Sequence, residues 1–137
     1  MNPQIIIYTD GGARNNPGPA GAGVVIKEGD KTLCEAAQYL GEQTNNWAEY
    51  EAVAIALGKA HEFLLRDRDI EFRLDSKLVV EQLNGKWKIK EPALKVQAAK
   101  IKETLQGFGS VTFVHIPREE NTDADRLVNE AIDSVGH

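Results

Sequence analysis

Apolar and polar positions alternate in short strand-like runs at the start of the chain, then settle into helical periods interrupted by two further strand-like runs. Residues 5–9 (Ile-Ile-Ile-Tyr-Thr) are apolar and largely β-branched, which predicts a strand buried on both faces. Asp10 follows with no polar residue to prepare for it, on the face that period-two alternation shares with Ile6 and Tyr8. Gly11 and Gly12 then free the backbone, and residues 15–19 (Asn-Asn-Pro-Gly-Pro) read as a turn-rich loop. Residues 21–26 predict a second strand, residues 27–30 a turn and residues 31–39 a third strand, together an antiparallel meander. Asn45 and Asn46 are placed to cap an Ala-rich helix over residues 47–65. On its period Glu49 shares a stripe with Ala52, Val53, Ala56 and Ala60, so this acid faces the sheet while Glu51 and Glu62 face solvent.

Residues 70–74 alternate as a half-buried strand that ends at Asp75. Ser76 caps a short helix over residues 77–83, and Asn84-Gly85 stops it. Lys86-Trp87-Lys88-Ile89-Lys90 sets ammonium groups on one side of an extended segment and apolar groups on the other. Pro92 opens a helix to about residue 106, residues 110–116 form the last strand, and Pro117 ends it. Residues 118–120 make a loop, Asn121 or Thr122 caps, and a final helix runs to about residue 135. Its core row is Ala124, Leu127, Val128, Ala131, Ile132 and Val135, and Asp125, a turn before Val128, points to the core edge. This order predicts an α/β fold: a mixed five-stranded sheet, antiparallel meander plus two parallel strands, flanked by helices on both faces with the first strand central.

A chain of 137 residues is sized for one domain, and 42% apolar with 27% charged residues is ordinary for a globular one. No apolar run is long enough to span a membrane, and the first four residues carry no basic leader region. A lone Cys34 excludes an internal disulfide and a cysteine metal cage, and it suits a reducing cytoplasm. Net charge of −5 argues against coating nucleic acid by bulk electrostatics. The charge is uneven, however: Lys77, Lys86, Lys88, Lys90, Lys95, Lys100 and Lys102 stand against only Glu81 and Glu91 between residues 76 and 102. Such a stretch could meet a polyanion; a solvated helix face explains it equally well.

Candidate chemistry lies in four acids. Asp10 and Asp75 fall at the C-terminal ends of strands expected to lie side by side, and Glu49 and Asp125 sit where their helices could face that edge. Each has a plainer role available: Asp10 in turn chemistry before Gly-Gly, Asp75 as a cap, Asp125 as complement to a helix dipole. Together they would repel one another unless protonated or bound to cations. Mg²⁺, a hard ion taking oxygen ligands, resolves this, and a pair of ions about 4 Å apart suits phosphodiester displacement. No Cys/His cluster supports zinc, no Ser-His-acid arrangement stands out, and Gly11-Gly12 lacks the Walker lysine spacing.

Tyr8-Thr9-Asp10-Gly11-Gly12, Asn16-Pro17-Gly18-Pro19-Ala20-Gly21, Thr44-Asn45-Asn46-Trp47-Ala48-Glu49, Asp75-Ser76 and Asn121-Thr122-Asp123-Ala124-Asp125, in this order and spacing, resemble type 1 ribonuclease H over nearly the whole chain. The resemblance implies the ribonuclease H-like fold. It also implies an endonuclease that cuts the RNA strand of RNA/DNA hybrids to 3′-hydroxyl and 5′-phosphate ends. It implies Mg²⁺ as cofactor, with Mn²⁺ as substitute and two ions per site when substrate is bound. Asp10, Glu49, Asp75 and Asp125 match the family's metal-binding catalytic acids; Asp123 stands two places too early in the Asn-x-x-x-Asp spacing.

Asn16 and Thr44 resemble residues that hold a DNA phosphate, and Asn45 and Asn46 a pair at the hybrid's minor groove. Gly11, Gly12 and Ala13 would let backbone approach the ribose 2′-hydroxyls. Lys77 replaces the Gln or Asn that many relatives carry after Asp-Ser, and a cation there favours a phosphate over a base edge. Bacterial relatives often have a basic protrusion after the position of Trp87. Here Lys86, Lys88 and Lys90 run almost directly into the next helix, as in the compact archaeal-type branch, some of whose members also cut double-stranded RNA. The flexible-loop His of other members gives way to Ile116-Pro117-Arg118-Glu119, so Arg118 is the candidate for assisting product departure. His115, at the matching offset from Asn121, is either its rival or a structural histidine. A monomer with no membrane partner is expected. The alternatives are a non-catalytic hybrid- or duplex-binding module on this fold, and a Mg²⁺ phosphomonoesterase using Asp10.

Overall fold

The computed structural model describes residues 3–136; Met1 and Asn2, part of the N-terminal stretch read above for a leader region, and His137 lie outside the described residues. Strands β1 (Ile5–Ala13), β2 (Gly18–Glu28) and β3 (Lys31–Gln43) form the antiparallel meander. Strand β4 (Asp69–Leu74) runs parallel to β1, and β5 (Ser110–His115) parallel to β4. The sheet order is β3-β2-β1-β4-β5, which leaves β1 central as the sequence predicts. The helices are α1 (Asn45–Glu62), α2 (Lys77–Leu83), α3 (Pro92–Leu105) and α4 (Thr122–Asp133).

Two glycines fix how closely the layers approach. A Cβ on Gly11 would stand 2.2 Å from the carbonyl oxygen of Ala48 in α1, and one on Gly23 would stand 2.2 Å from that of Ala124 in α4. Helix α1 therefore presses on one face of the sheet and α4 on the other, each where a strand offers bare backbone. Between α1 and the sheet, Ile5, Ile7, Val24, Ile26, Val53, Leu57, Ile70 and Phe72 are fully buried. Helix α3 packs on α1, and the rings of Phe72 and Phe113 stack tilted at 5.2 Å to hold β4 against β5.

The strands are longer than the pattern predicts. Strand β1 runs four residues past Thr9 to Ala13 because Gly11, Gly12 and Ala13 pair in register with Ala22, Gly21 and Ala20. Gly18 and Pro19 belong to β2 rather than to the loop, and β3 continues past Tyr39 to Gln43. Nor is β1 buried equally on its faces: Ile5, Ile7 and Thr9 are buried, Ile6 and Tyr8 only half so. The cap of α1 is Thr44, whose hydroxyl accepts from the Trp47 N–H at 3.2 Å, rather than Asn45 or Asn46, which are helical. Glu51 is half-buried where Gln97 of α3 reaches it, not turned to solvent. Helix α4 ends at Asp133, and Val135, expected in its core row, is 45% exposed beyond it. Among the described residues no helix is long and apolar enough to cross a membrane.

Candidate active site

Pairing between β1 and β4 ends at Tyr8 and Arg73. Beyond that point β1 continues paired with β2 but no longer with β4, so Asp10 stands within β1, not at its end, beside the place where Asp75 leaves β4. Helix α1 delivers Glu49 from its buried stripe at the spot where Gly11 lets the helix touch the strand. One carboxylate oxygen from each of Asp10, Glu49 and Asp75 lies within 4.8 Å of the others. The Gly11 N–H donates to both Asp10 Oδ1 (3.0 Å) and Glu49 Oε1 (3.1 Å), so a single backbone donor holds two of the three acids. Asp125 lies outside this trio but lines the same cleft, an open space of about 530 Å³.

Asp10 and Glu49 are each only 7% exposed. Burial lifts the Asp10 carboxyl from an ordinary 3.8 to about 7; a hydrogen bond with Glu49 works against the rise, and the charges of Asp75 and Asp125 add to it. Burial raises Glu49 well above the usual carboxylate range, and the neighbouring charge of Asp10 adds to it. Glu49 Oε2 is buried with no hydrogen-bond partner. An orphaned carboxylate oxygen among other carboxylates fits a hard cation taking oxygen ligands and little else.

Asn121 anchors the site from behind. Its amide donates to the Thr9 carbonyl (2.9 Å) and to Asp75 Oδ2 (3.1 Å), tying β1, β4 and the start of α4 together. In the sequence Asn121 stands out as a candidate helix cap and as the first residue of the Asn-x-x-x-Asp spacing; its side chain makes no capping bond because the amide is turned inward.

Gly11, Gly12, Asn45, Asn46 and Arg118 line the cleft with the acids, as does Ala13. Asn45 Oδ1 accepts from the Ala13 N–H at 2.7 Å, and Asn16 Oδ1 accepts from the Asn45 N–H at 2.9 Å. Asn16 and Thr44 thus support the rim from outside the cleft lining. His115 ends β5 and is not part of that lining.

Lys77, Lys86, Lys88 and Lys90 also lie outside it. Lys77 Nζ sits 5.8 Å over the ring of Trp87, which is 44% exposed. Lys86 departs from the expected extended alternation: its N–H and that of Trp87 both bond the Glu81 carbonyl, closing the end of α2. The stretch is moored at the Lys88 carbonyl by Gln82, whose own acceptor takes the buried Tyr50 hydroxyl at 2.6 Å. Arg14 and Asn129 line the cleft and were not singled out in the sequence. Asn129 lies four residues after Asp125, so helical spacing alone would have placed it on the same row.

The sheet order, the parallel β1–β4 pair and the convergent acids occur together in this chain, and the reverse transcriptase-like family profile matches residues 8–131. Ribonuclease HI of Halobacterium salinarum is 43% identical over 133 residues, 96% of this chain and 66% of that protein. A bifunctional protein of Mycobacterium tuberculosis is 40% identical over 134 residues, again 96% of this chain but 36% of its own length. The crystal structure of LC11-RNase H1 in complex with an RNA/DNA hybrid matches with a TM-score of 0.92 at 53% identity, covering 96% of this chain and 98% of that one. This chain belongs to the ribonuclease H family. It spans less than two thirds of the length of these two curated relatives. The family is metal-dependent, and the trio of Asp10, Glu49 and Asp75 can hold a metal ion.

Proposed function

We propose that residues 1–137 act as one ribonuclease H domain: a metal-dependent endonuclease hydrolysing the RNA strand of RNA/DNA hybrids to 3′-hydroxyl and 5′-phosphate products. The observation that carries this reading is the meeting of three carboxylates within 4.8 Å, one of them with a buried oxygen lacking any partner. A module that only bound duplexes would gain nothing by setting such acids against phosphate. A phosphomonoesterase would have little use for the asparagine-lined rim beside them. Likeness to a ribonuclease H crystallised with an RNA/DNA hybrid supports the substrate class.

Asp10, Glu49, Asp75 and Asp125 would hold Mg²⁺, or Mn²⁺ in its place, with two ions when substrate is bound. When bound, the metal supplies positive charge against the phosphate and the charge that develops during displacement. The Gly11 N–H keeps Asp10 and Glu49 aimed at one point, and the Asn121 amide does the same for Asp75. Gly11, Gly12 and Ala13 line the cleft, where their backbone would let a ribose 2′-hydroxyl approach. Asn45 and Asn46 face the groove, while Asn16 and Thr44 hold a phosphate of the DNA strand. Arg118, a cation in the cleft lining, acts on the departing phosphate. Lys77, Lys86, Lys88 and Lys90 contact the DNA backbone from outside. The protein works as a cytoplasmic monomer.

End-labelled RNA/DNA, RNA/RNA and DNA/DNA duplexes, incubated with and without Mg²⁺, test the reading. Cleavage of the RNA strand in the hybrid, only with metal and with the stated ends, is expected. Cutting of RNA/RNA would add double-stranded RNA to the substrates, as in some compact relatives. Equal cutting of DNA/DNA, or no cutting of the hybrid, would overturn the assignment.

A further inference from the structure

Arg14 lines the same cleft as the four acids. Its Nη1 donates to Asp133 Oδ1 at 2.7 Å and its Nη2 to Asn129 Oδ1 at 3.1 Å. Its backbone N–H bonds the Pro19 carbonyl at 2.9 Å across the mouth of the β1–β2 loop. The guanidinium therefore lies along α4, against Asn129 and Asp133. Asp125, Asn129 and Asp133 follow one another at one-turn spacing, a single row on the helix. That row begins beside the acid cluster and ends at Arg14, about 12 Å further on at 1.5 Å of rise per residue. Arg118 stands just before the start of α4, so the two arginines bracket the row. Among the described residues they are the only cations in the cleft lining.

A polynucleotide with one phosphate at the acids must lay its neighbours along this row or leave the cleft. We propose that Arg14 forms a second phosphate subsite, which takes the backbone of the strand being cut roughly two to four nucleotides from the scissile bond. The inference rests on the hybrid-cleaving role argued above. The Asp133 carboxylate occupies the guanidinium now, but the pair is open to water, with side chains 38% and 64% exposed. An ion pair so exposed holds weakly. A phosphate presents the same paired oxygens to the planar fork and can take the place of the carboxylate. Four acids repel an incoming phosphate backbone, and a cation at the far end of the row from Asp125 to Asp133 offsets that repulsion where it does not disturb the acids themselves.

The plainer role for the pair is a tie between the β1–β2 loop and α4. The two roles part in their variants. Steady-state cleavage of a hybrid should be measured across a salt series for the parent, Arg14→Ala, Arg14→Lys and Asp133→Asn. Hybrids carrying one uncharged methylphosphonate at successive RNA-strand positions complete the set. A subsite predicts that Arg14→Ala raises KM about tenfold, leaves kcat within about twofold, and flattens the salt slope by about one unit. Arg14→Lys recovers the slope but only part of the affinity, having lost the fork. Asp133→Asn lowers KM, the opposite direction, since it removes the competing anion. One methylphosphonate position, away from the scissile bond, weakens the parent and leaves Arg14→Ala indifferent. If Asp133→Asn raises KM as Arg14→Ala does, or if methylphosphonate and Arg14→Ala penalties multiply at every position, the subsite is overturned and the pair is a tie. A parent that cleaves hybrid while Arg14→Ala matches it in KM and slope defeats this inference alone. A parent that neither binds nor cuts hybrid defeats the function and the subsite together.

Discussion

The acid cleft and the lysine stretch after α2 lie at opposite ends of the charge scale and are built in opposite ways. Asp10 and Glu49 are nearly buried, share one backbone donor, and sit where α1 closes directly on β1 at Gly11. Lys86, Lys88 and Lys90 are exposed, on a stretch whose backbone is held at the Lys86 N–H and the Lys88 carbonyl. Burial makes the acids cooperative: each raises the cost of ionising the others, and one cation answers for several. Exposed lysines act additively on a polyanion, each contributing at most about one phosphate contact and each screened by salt. Changes in the first region should therefore abolish chemistry, and changes in the second should only tune affinity.

The largest effect belongs to Asp10→Asn. Hybrid cleavage should fall by more than about a hundredfold, beyond the roughly ten- to hundredfold typical of residues that only support a metal ligand, while hybrid binding stays close to the parent's. The same variant should stabilise the metal-free fold above neutral pH. The folded-state pKa of Asp10, about 7, lies above its ordinary 3.8, so the folded state holds that proton more tightly than the unfolded chain. Its contribution is intact below about pH 4 and is lost as pH rises through 7. The gap in Tm between variant and metal-free parent should open across that window and level off above it. Scanning calorimetry from pH 4 to 9 in EDTA checks this, and a gap that stays flat or closes would mean the acids do not repel as described.

Gly11→Ala comes next. Its methyl would meet the Ala48 carbonyl at 2.2 Å, so α1 must back away from β1. A loss of about 3 kcal/mol is expected from denaturant melts, with cleavage falling further than stability because Glu49 moves with the helix. Arg118→Ala should lower kcat about tenfold and change KM little, as for a cation acting late on the departing group. A larger loss of turnover in folded His115→Ala would transfer that role. The smallest effect on chemistry belongs to Lys86, Lys88 and Lys90 replaced together by Ala. The salt slope of hybrid binding should flatten by up to about one unit per lost contact, with cleavage at saturating substrate unchanged. Parallel slopes would leave these lysines a solvated edge.

How far each region could be read from sequence follows from the same contrast. The stripe of Glu49 with Ala52, Val53, Ala56 and Ala60 and the acid closing the run from Ile5 were legible because burial imposes period and polarity together. Strand order was legible from crossovers. The true ends of β1 and β3 were not, because Gly11 and Gly12 pair with β2 despite their turn chemistry, and pairing is a property of the partner strand. The inward turn of the Asn121 amide and the reach of Arg14 to Asn129 and Asp133 join residues more than forty positions apart. No local pattern announces such bonds. The form of the lysine stretch was half legible: its exposure follows from composition, but the turn that takes Lys86 out of the alternation is set by the Glu81 carbonyl.

The central claim, that buried acids converge here to hold a divalent cation, is tested most directly by titrating Mg²⁺ and Mn²⁺ into the parent and Asp10→Asn by calorimetry at pH 6 and pH 8, in buffers of different ionisation heat. Because Asp10 and Glu49 carry raised pKa values, ion binding must expel protons, so the parent should bind more tightly at pH 8 than at pH 6 and release protons to the buffer at pH 6. Asp10→Asn should lose most of that binding. Binding that is absent in the parent, or that proceeds without proton release and survives unchanged in Asp10→Asn, would contradict the account.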